Sequence, residues 1–385
     1  MNNFEFYNPV KILFGRDQIT KLSNQIPAGQ KIMVIYGGGS IKKNGIYNQI
    51  IAALKDYQFI EFGGIEPNPH YETAMQAVEI IKNEKVDFLL AVGGGSVIDA
   101  TKFIAAAALY ENGDPWDILA KNSLVRFSLP IGAVLTLPAT GSEMNMGAVI
   151  TRKSTNEKFS FLTPLSYPKF SILMPEAAAS LPQRQVANGI VDAYVHVIEQ
   201  YLTYPANAPL QDRIAESILL SLIEEGPKVY ANPADYDSMA NLMWSATMAL
   251  NGIISCGVPS DWSTHMIGHE LTAFYEIDHA RTLAIVLPGI WKALRIEKKE
   301  KLLQYANRIW NIVDGTEDEK IDNAIQKTVD FFESLGIYTK LKDYKLGQEA
   351  IDRIVSRFVE RKWKAIGDRQ LITPDVVRKA LEFQL

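Results

Sequence analysis

The chain has 385 residues, of which 47% are hydrophobic and 22% charged, with a formal net charge of −5 and a pI near 5.7. This length exceeds one typical hydrophobic core, so two domains are expected. The acidic balance argues against nucleic acid or an anionic membrane surface as a partner. No signal-peptide pattern opens the sequence, and no apolar run is long enough to span a bilayer. The only cysteine, Cys256, cannot form an internal disulfide, so a cytoplasmic protein is expected.

The first half of the chain alternates strand and helix patterns. FEFYNP and VKILFG each alternate apolar and polar residues and predict a β-hairpin at the start. Five apolar runs predict further strands: KIMVIY (31–36), QFIEF (58–62), VDFLLAV (86–92), GAVLTLP (132–138) and FSILMP (170–175). Helical patterns such as YETAMQAVEIIKNEK (71–85) lie between them. Strands separated by helices predict an α/β domain with a mostly parallel sheet.

The second half of the chain changes character after about residue 180. QRQVANGIVDAYVHVIEQYLT, QDRIAESILLSLIEEGPKVY and EKLLQYANRIWNIV carry helical periodicity, and no run there predicts a strand. We therefore expect an α/β domain at residues 1–180 and an all-helical domain at residues 181–385. No low-complexity linker separates them, which favours close packing around a cleft.

Four of the five histidines in the chain, with one aspartate, mark a candidate metal site. Asp192 and His196 are four residues apart, so both project from one face of a helix. His265 and His269 repeat that spacing, and His279 follows. One carboxylate with three or four imidazoles suits Zn²⁺ or Fe²⁺ better than Ca²⁺ or Mg²⁺. The spacing does not decide which four of the five residues coordinate.

A glycine-rich turn, Gly93–Ser96, follows the run VDFLLAV and opens the amphipathic pattern VIDATKFIAAAAL. Glycines there let the backbone approach a ligand, and the free N–H groups at the start of a helix attract phosphate. The spacing differs from the GxGxxG dinucleotide fingerprint, so a strict Rossmann assignment fails. The turn predicts a phosphate-binding loop, with an ordinary tight turn as the alternative.

A second glycine-rich turn, Gly37–Ser40, ends the preceding strand and is followed by Lys42 and Lys43. In a doubly wound sheet an adenosine ribose tends to lie at this place, and NAD enzymes usually carry an acidic residue there. Glycines, a serine and two lysines favour a 2′-phosphate instead, and therefore NADP(H). The alternative is a solvated turn with two surface lysines.

A third candidate loop, Thr136–Glu143 (TLPATGSE), ends another strand and offers hydroxyls and backbone donors. Loops at the carboxyl ends of strands in such sheets bind ligands. By composition alone the loop is equally compatible with ordinary turn chemistry, and Lys158 with a surface lysine.

Together these motifs resemble the iron-containing (group III) alcohol dehydrogenases, most of all their NADPH-dependent aldehyde reductase or butanol dehydrogenase branch. The resemblance covers essentially the whole chain, and its most specific pieces are GGGSVIDATKFIA, TLPATGSE, QVANGIVDAYVHVIEQY and THMIGHELTAFYEIDHARTLAIVLP. It implies a Rossmann-like α/β nucleotide-binding domain and an all-α metal-binding domain, an architecture shared with dehydroquinate synthase, with the active site between them. It also implies a homodimer.

The resemblance assigns roles to individual residues. It implies four metal ligands, Asp192, His196, His265 and His279, and makes His269 a non-ligand histidine near the nicotinamide. Gly38 falls where NAD-preferring members carry an aspartate. The implied cofactor contacts are Gly37, Gly38, Gly39, Ser40, Gly94, Gly95, Ser96, Asp99, Thr136, Thr140, Asn145 and Lys158. One departure from the pattern is PEAAAS (175–180), where close relatives carry tyrosines that reach the cofactor.

The expected reaction is reversible hydride transfer between NADPH and a short- to medium-chain aldehyde. The metal acts as a Lewis acid, and the proton comes through His269 or a water. A metal- and NAD-dependent lyase or synthase of the dehydroquinate synthase kind is an alternative, but it would need a basic pocket, and the metal motif offers mainly Arg281. A helical metal-binding scaffold without catalysis would leave the glycine turns without a purpose. Three histidines and one aspartate serve Zn²⁺ and Fe²⁺ alike.

Overall fold

The computed structural model describes residues 1–385, which form two compact units. The first, here called the α/β unit, comprises residues 7–182 and 232–251. The second, here called the helical unit, comprises residues 1–6, 183–231 and 252–385. The division at residues 180 and 181 remains a prediction. Residues 232–251 join the α/β unit because their helix packs against the turns Ser142–Met144 and Pro175–Ala178, a partnership that helical periodicity does not encode.

The α/β unit contains a six-stranded parallel sheet and a separate antiparallel hairpin. The eight strands are β1 (Lys11–Phe14), β2 (Lys31–Tyr36), β3 (Gln58–Phe62), β4 (Phe88–Gly94), β5 (Ile131–Leu137), β6 (Gly147–Arg152), β7 (Glu157–Leu162) and β8 (Phe170–Leu173). The order in the sheet is β1-β8-β5-β4-β2-β3, with every neighbouring pair parallel. Strands β6 and β7 form the hairpin. The prediction of a mostly parallel α/β sheet is confirmed.

The helices follow the predicted pattern. In the first half of the chain they are α1 (Ser40–Lys43), α2 (Ile46–Ala53), α3 (Tyr71–Glu84), α4 (Gly95–Ala107) and α5 (Asp117–Ala120). The second half contains α6 (Gln183–Tyr201), α7 (Pro209–Ala231), α8 (Tyr236–Ala249), α9 (Ser263–Tyr275), α10 (His279–Ala293), α11 (Lys299–Trp310), α12 (Glu317–Ser334), α13 (Gln348–Glu360) and α14 (Pro374–Glu382). Short 3-10 helices lie at Gln18–Gln25, Ser142–Met144, Lys153–Thr155, Pro164–Ser166, Pro175–Ala178 and Leu341–Tyr344.

The central strands are apolar on both faces, because helices cover both sides of a parallel sheet. Residues 32–36 of β2 and 88–93 of β4 are all buried. The chain leaves β2 toward β3 on one side of the sheet and leaves β4 toward β5 on the other. The topological switch point therefore lies between β2 and β4, and both glycine-rich turns follow these two strands.

The expected hairpin at the start of the chain is wrong. FEFYNP forms no strand, and VKILFG supplies only β1, which pairs in parallel with β8. Alternation of apolar and polar residues indicates a half-buried strand but does not identify its partner. The β6–β7 hairpin was not predicted; its turn carries Asn156 at a φ of +50°, in the left-handed region that asparagine tolerates.

Helix α6 lies at the core of the helical unit, with 15 of its 19 residues buried. Helix α10 packs against α6, α9 and α14. A helix that is buried on all sides must place its polar residues against partners, so the polar side chains of α6 indicate a built site. No helix of the chain is both long enough and apolar enough to cross a membrane.

Candidate metal centre and cofactor loops

Three helices of the helical unit bring the predicted metal ligands together. Helix α6 carries Asp192 and His196, α9 carries His265, and α10 begins at His279. One donor atom each from Asp192, His265 and His279 lie within 4.8 Å of one another. Nε2 of His279 is 3.7 Å, and Nε2 of His196 is 3.9 Å, from Oδ1 of Asp192. Asp192 is therefore the common neighbour of the histidines.

His196 lies next to these three residues but is not one of the group whose donor atoms all lie within 4.8 Å of one another. Its ring stacks on that of His265, with 4.8 Å between the centroids and 19° between the planes. An ion with tetrahedral bonds of about 2.1 Å separates its ligand atoms by roughly 3.4 Å. The separations of 3.7 and 3.9 Å come within a few tenths of an ångström of that value. The donor types and these two separations from Asp192 thus suit a borderline divalent cation.

A carboxylate that the sequence analysis did not select, Glu199, lies behind His265. Glu199 is buried on α6 and forms a hydrogen bond with Nδ1 of His265. With Nδ1 engaged, Nε2 is the ring atom of His265 that can bind a metal. Burial and the nearby Asp261 carboxylate raise the pKa of Glu199, while the backbone N–H groups of Thr264 and His265 act in the opposite direction by favouring the carboxylate. Its spacing of three residues from His196 is the signal that could have identified it.

The first turn of α9 is held by acidic groups. The carboxylate of Glu199 accepts hydrogen bonds from the backbone N–H of Thr264 (2.6 Å) and of His265 (3.2 Å), and Asp261 accepts one from Ser263 (3.0 Å). Acceptors at a helix N-terminus form hydrogen bonds with its free N–H groups, and their negative charge interacts favourably with the helix dipole. Trp262, which precedes the helix, has a φ of +60°, a strained value for a bulky residue. These bonds offset that strain and fix the entry to the helix.

His279 is placed by its neighbour Asp278. Oδ2 of Asp278 accepts hydrogen bonds from Nε of Arg184 (2.8 Å) and Nδ2 of Asn188 (2.8 Å), both on α6. Burial opposes the charge of Asp278, but these donors outweigh it and hold its pKa below the usual value. The start of α10 is therefore tied to the helix that carries Asp192.

His269, predicted to be catalytic, lies beside the candidate ligands. Its ring centroid is 5.1 Å from that of His279 and 6.2 Å from that of His265. It stands one turn after His265 on α9 and outside the trio of closest donor atoms. The ring centroids of His265 and His279 are themselves 5.2 Å apart, so the role of His269 as a non-ligand histidine remains a prediction.

In the α/β unit, both glycine-rich turns lie at the same edge of the sheet. A Cβ on Gly37 would lie 3.7 Å from Cγ2 of Val97, and one on Gly93 would lie 2.5 Å from the same atom. A Cβ on Gly95 would overlap the side chain of Thr140, and one on Gly94 would lie 2.9 Å from Cβ of Leu137. Parallel strands end at one edge, which explains why these segments meet. The close packing leaves no room for side chains at Gly94 and Gly95.

Gly38 differs from these glycines. A Cβ there would meet nothing within 4 Å, and the residue is exposed. Gly39, with a φ of +89°, precedes α1, whose first residue is Ser40. Nζ of Lys42 lies 3.0 Å from Oε2 of Glu61 on β3. Lys43 is exposed, so this turn presents two cations and one partly screening carboxylate.

A buried lysine, Lys102, organises the third candidate loop. Its Nζ donates to Oγ of Ser142 (2.9 Å), to O and Oδ1 of Asn145 (2.9 Å each) and to O of Gly147 (2.8 Å). Oδ1 of Asp99 accepts a hydrogen bond from Oγ of Ser142 (2.6 Å). Burial raises the pKa of Asp99 despite the nearby charge of Lys102. Lys102 was not among the predicted site residues, although it lies three residues after Asp99 on α4.

Several predicted cofactor contacts are engaged within the protein. The amide of Asn145 donates to O of Gly141 (2.9 Å) and O of Leu250 (3.1 Å), while its Oδ1 accepts from Lys102 and Gly147. A direct cofactor contact would have to displace one of these bonds. Other predicted contacts occupy fixed positions. Thr136 is buried on β5, Thr140 accepts a hydrogen bond from the N–H of Ser142, Ser96 lies in the first turn of α4, and Lys158 on β7 donates to Asn68 (2.8 Å).

Comparison with known proteins agrees with this geometry. The family model described as iron-containing alcohol dehydrogenase matches residues 9–175, and the Fe-containing alcohol dehydrogenase family C-terminal model matches residues 186–379. The NADPH-dependent aldehyde reductase YqhD of Escherichia coli is 54% identical over 384 residues, covering 99% of each chain. A probable NADH-dependent butanol dehydrogenase 1 of Bacillus subtilis is 42% identical, covering 93% of each.

A solved structure is similar to this chain over its whole length. A crystal structure of YqhD from E. coli K-12 matches with a TM-score of 0.98 and 52% identity, covering 100% of this chain and 99% of that chain. The two family models together span most of both halves of the sequence. The chain therefore belongs to the iron-containing alcohol dehydrogenase family.

Proposed function

We propose that this protein is an NADPH-dependent, metal-dependent alcohol dehydrogenase that reduces short- to medium-chain aldehydes. The observation that carries the proposal is the convergence of donor atoms from Asp192, His265 and His279 within 4.8 Å of one another. Membership of the family supports it, as does the similarity to the NADPH-dependent aldehyde reductase of E. coli.

The helical unit holds the metal. Asp192, His196, His265 and His279 provide one carboxylate and three neutral imidazoles, which leaves the site with a net positive charge that suits an oxyanion. When bound, the divalent ion supplies Lewis-acid polarisation of a carbonyl oxygen and NADPH supplies the hydride. Glu199 is hydrogen-bonded to Nδ1 of His265. Asp278, held by Arg184, fixes the start of the helix that carries His279.

His269 holds the proton that converts the developing alkoxide to the alcohol. It is not among the assigned ligands, and its ring lies 5.1 Å from that of His279. An imidazole can donate a proton and then recover one, and histidine is the side chain most often used for general acid–base catalysis. A water between His269 and the substrate oxygen is an equivalent route.

The α/β unit binds NADPH through its three loops. The N–H groups at the start of α4, reached over Gly94, Gly95 and Ser96, receive the pyrophosphate. The turn Gly37–Ser40 carries no acidic side chain, so it does not repel a 2′-phosphate, and Lys42 and Lys43 follow it. The Thr136–Glu143 loop is held by Lys102 and completes the site.

A lyase or synthase of the dehydroquinate synthase kind is less well supported. Such an enzyme would need free cations for a phosphorylated substrate. Arg281, the main cation of the metal motif, lies 3.5 Å from Asp278 and donates to O of Gly336 (3.2 Å). Arg184 is likewise engaged by Asp278 (2.8 Å). The reductase accounts better for a site in which the cations have structural partners.

We also propose a cytoplasmic homodimer with a dinucleotide-binding domain at residues 1–180 and a metal-binding domain at residues 181–385. The single cysteine, which fits a reducing compartment, supports the cytoplasmic location. The dimer rests on the resemblance to the family alone.

The proposal is tested by NADPH and NADH oxidation with a panel of straight-chain aldehydes. The protein is stripped of metal and then reconstituted with Zn²⁺ or Fe²⁺. We expect turnover only after reconstitution, with kcat/KM for NADPH well above that for NADH. Metal binding without turnover on any aldehyde would overturn the proposed reaction.

A further inference from the structure

The carboxylate of Glu199 links the helix that carries two candidate ligands to the helix that carries a third. Glu199 lies on α6, three residues after His196. Its Oε1 accepts the N–H of Thr264 (2.6 Å), and its Oε2 accepts the N–H of His265 (3.2 Å). The same Oε2 is hydrogen-bonded to Nδ1 of His265. One carboxylate, 3% exposed, therefore contacts both the first turn of α9 and the ring of its metal ligand.

We infer that Glu199 is a positioning residue that keeps the imidazole proton of His265 on Nδ1 and so presents Nε2 to the metal. This inference rests on the proposed function, because it concerns the ion assigned there. A neutral imidazole carries one N–H, and an acceptor at Nδ1 holds that proton in place. The lone pair is then on Nε2, which is the ring atom that can bind the metal. A carboxylate behind a ligand histidine also makes that histidine a stronger ligand.

Glu199 is itself held rigidly. The backbone N–H of Asp261 donates to O of Glu199 (2.8 Å), and Oδ2 of Asp261 lies 2.6 Å from Nζ of Lys298. Lys298 also donates to O of Leu202 (2.8 Å), one residue beyond the end of α6. The loop that enters α9 is thus anchored to α6 near Glu199. A fixed acceptor gives the ring of His265 one orientation.

A helix cap and a positioning residue predict different results. A carboxylate that only capped α9 would make the two backbone bonds, and its loss would change stability alone. The ring contact adds a second role, which sets the tautomer of His265 and therefore its affinity for metal. A measurement of the tautomer separates the two roles without any metal present.

The first experiment uses ¹⁵N-histidine labelling of the metal-free chain. Only five histidines contribute signals, and the signals of His265 are identified by their loss in His265→Gln. We expect the Nδ1–H tautomer for His265 in the unaltered chain and a shift to the Nε2–H tautomer in Glu199→Gln, because the amide group donates to Nδ1. The matched control is Glu216→Gln, another buried glutamate of the helical unit, which contacts Tyr201 and Arg308. It should leave the tautomer of His265 unchanged.

The second experiment measures the Kd for Zn²⁺ by competition with a chromophoric chelator. We expect Glu199→Gln to raise the Kd about 10- to 100-fold, and Glu216→Gln to leave it within about twofold. If Glu199→Gln does not fold, Glu199→Asp takes its place in this measurement. Its shorter side chain cannot reach the helix amides and the ring together, so it should raise the Kd similarly.

The outcomes separate this inference from the proposed function. A folded Glu199→Gln or Glu199→Asp chain with an unchanged tautomer and an unchanged Kd for Zn²⁺ overturns the positioning role. Failure of the unaltered chain to bind Zn²⁺ overturns the metal-dependent function instead. The tautomer of His265 in the metal-free chain then still decides whether Glu199 orients the ring.

Discussion

The Nε2 atom of His279 lies 3.7 Å from Oδ1 of Asp192, which joins the first residue of α10 to the middle of α6. Asp192 also lies 3.9 Å from Nε2 of His196, so one buried carboxylate adjoins two imidazoles from different helices. A carboxylate in that position is costly unless a cation or hydrogen-bond donors compensate for its charge. A divalent ion held by these residues would compensate for this charge.

Replacing Asp192 with asparagine removes the only charged ligand while preserving its shape. We expect Asp192→Asn to weaken Zn²⁺ binding by at least about 100-fold, because a neutral amide oxygen is a much poorer ligand for a borderline cation. The Kd from chelator competition measures this. The control is Asp212→Asn, which alters another aspartate of the helical unit, the partner of Lys301. It should bind Zn²⁺ normally. Equal affinity of the two variants would remove Asp192 from the ligand set.

His269→Ala should separate proton transfer from metal binding. We expect the metal content to stay at the level of the unaltered chain, while kcat falls about 100-fold or more, because general acid catalysis commonly contributes a factor of this size. Metal analysis and steady-state kinetics on the same sample provide the two readouts. Loss of the metal in His269→Ala would make His269 a ligand and contradict its assigned role.

Gly38→Asp should change the preference between the two coenzymes. A side chain at Gly38 meets no other atom within 4 Å, so the effect will reflect charge rather than steric clash. A carboxylate repels a 2′-phosphate and accepts hydrogen bonds from ribose hydroxyls, so we expect the Kd for NADPH to rise about tenfold or more while that for NADH falls.

Gly38→Asn is the neutral control of nearly the same size. It should lower NADPH affinity far less than Gly38→Asp does. Fluorescence titration of both coenzymes against both variants checks the prediction, and a parallel loss of NADPH affinity in the two variants would show that charge is not the cause.

Lys102 gives a pH-dependent contribution to stability. Burial lowers its pKa from 10.5 to about 8. Between these two pH values the unfolded chain binds more protons at this site than the native chain, so the free energy of unfolding that Lys102 contributes rises with pH across this window. Well below pH 8 both states are protonated and the contribution is constant.

Lys102→Met removes that contribution and leaves the acceptors on Ser142, Asn145 and Gly147 without their donor. We expect a loss of about 3 kcal/mol at pH 7, since breaking a buried charged network typically costs this much. The difference between the unaltered chain and Lys102→Met should widen from pH 8 toward 10.5 in chemical denaturation. A difference that stays flat across this range would show that Lys102 does not titrate as described.

The sequence predicted well those features that depend only on residues close to one another in the chain. The apolar runs identified β2, β3, β4, β5 and β8, and the spacing of Asp192 and His196 required only one turn of helix. The hairpin at the start failed because alternation does not encode the partner strand, and β1 pairs with β8 from the far end of the domain. Glu199 and Lys102 were missed for a related reason. A buried acid or lysine acquires its role only from residues distant in sequence, here His265 for Glu199 and Asn145 for Lys102.

The most direct test of the metal centre is a Zn²⁺ titration of the metal-free chain beside His265→Ala. We expect one tightly bound ion per chain in the unaltered protein. His265→Ala should remain folded but lose tight binding and turnover together, because α9 then provides no assigned ligand. Tight binding of one ion by folded His265→Ala, with NADPH-dependent turnover intact, would contradict the assignment of the metal centre.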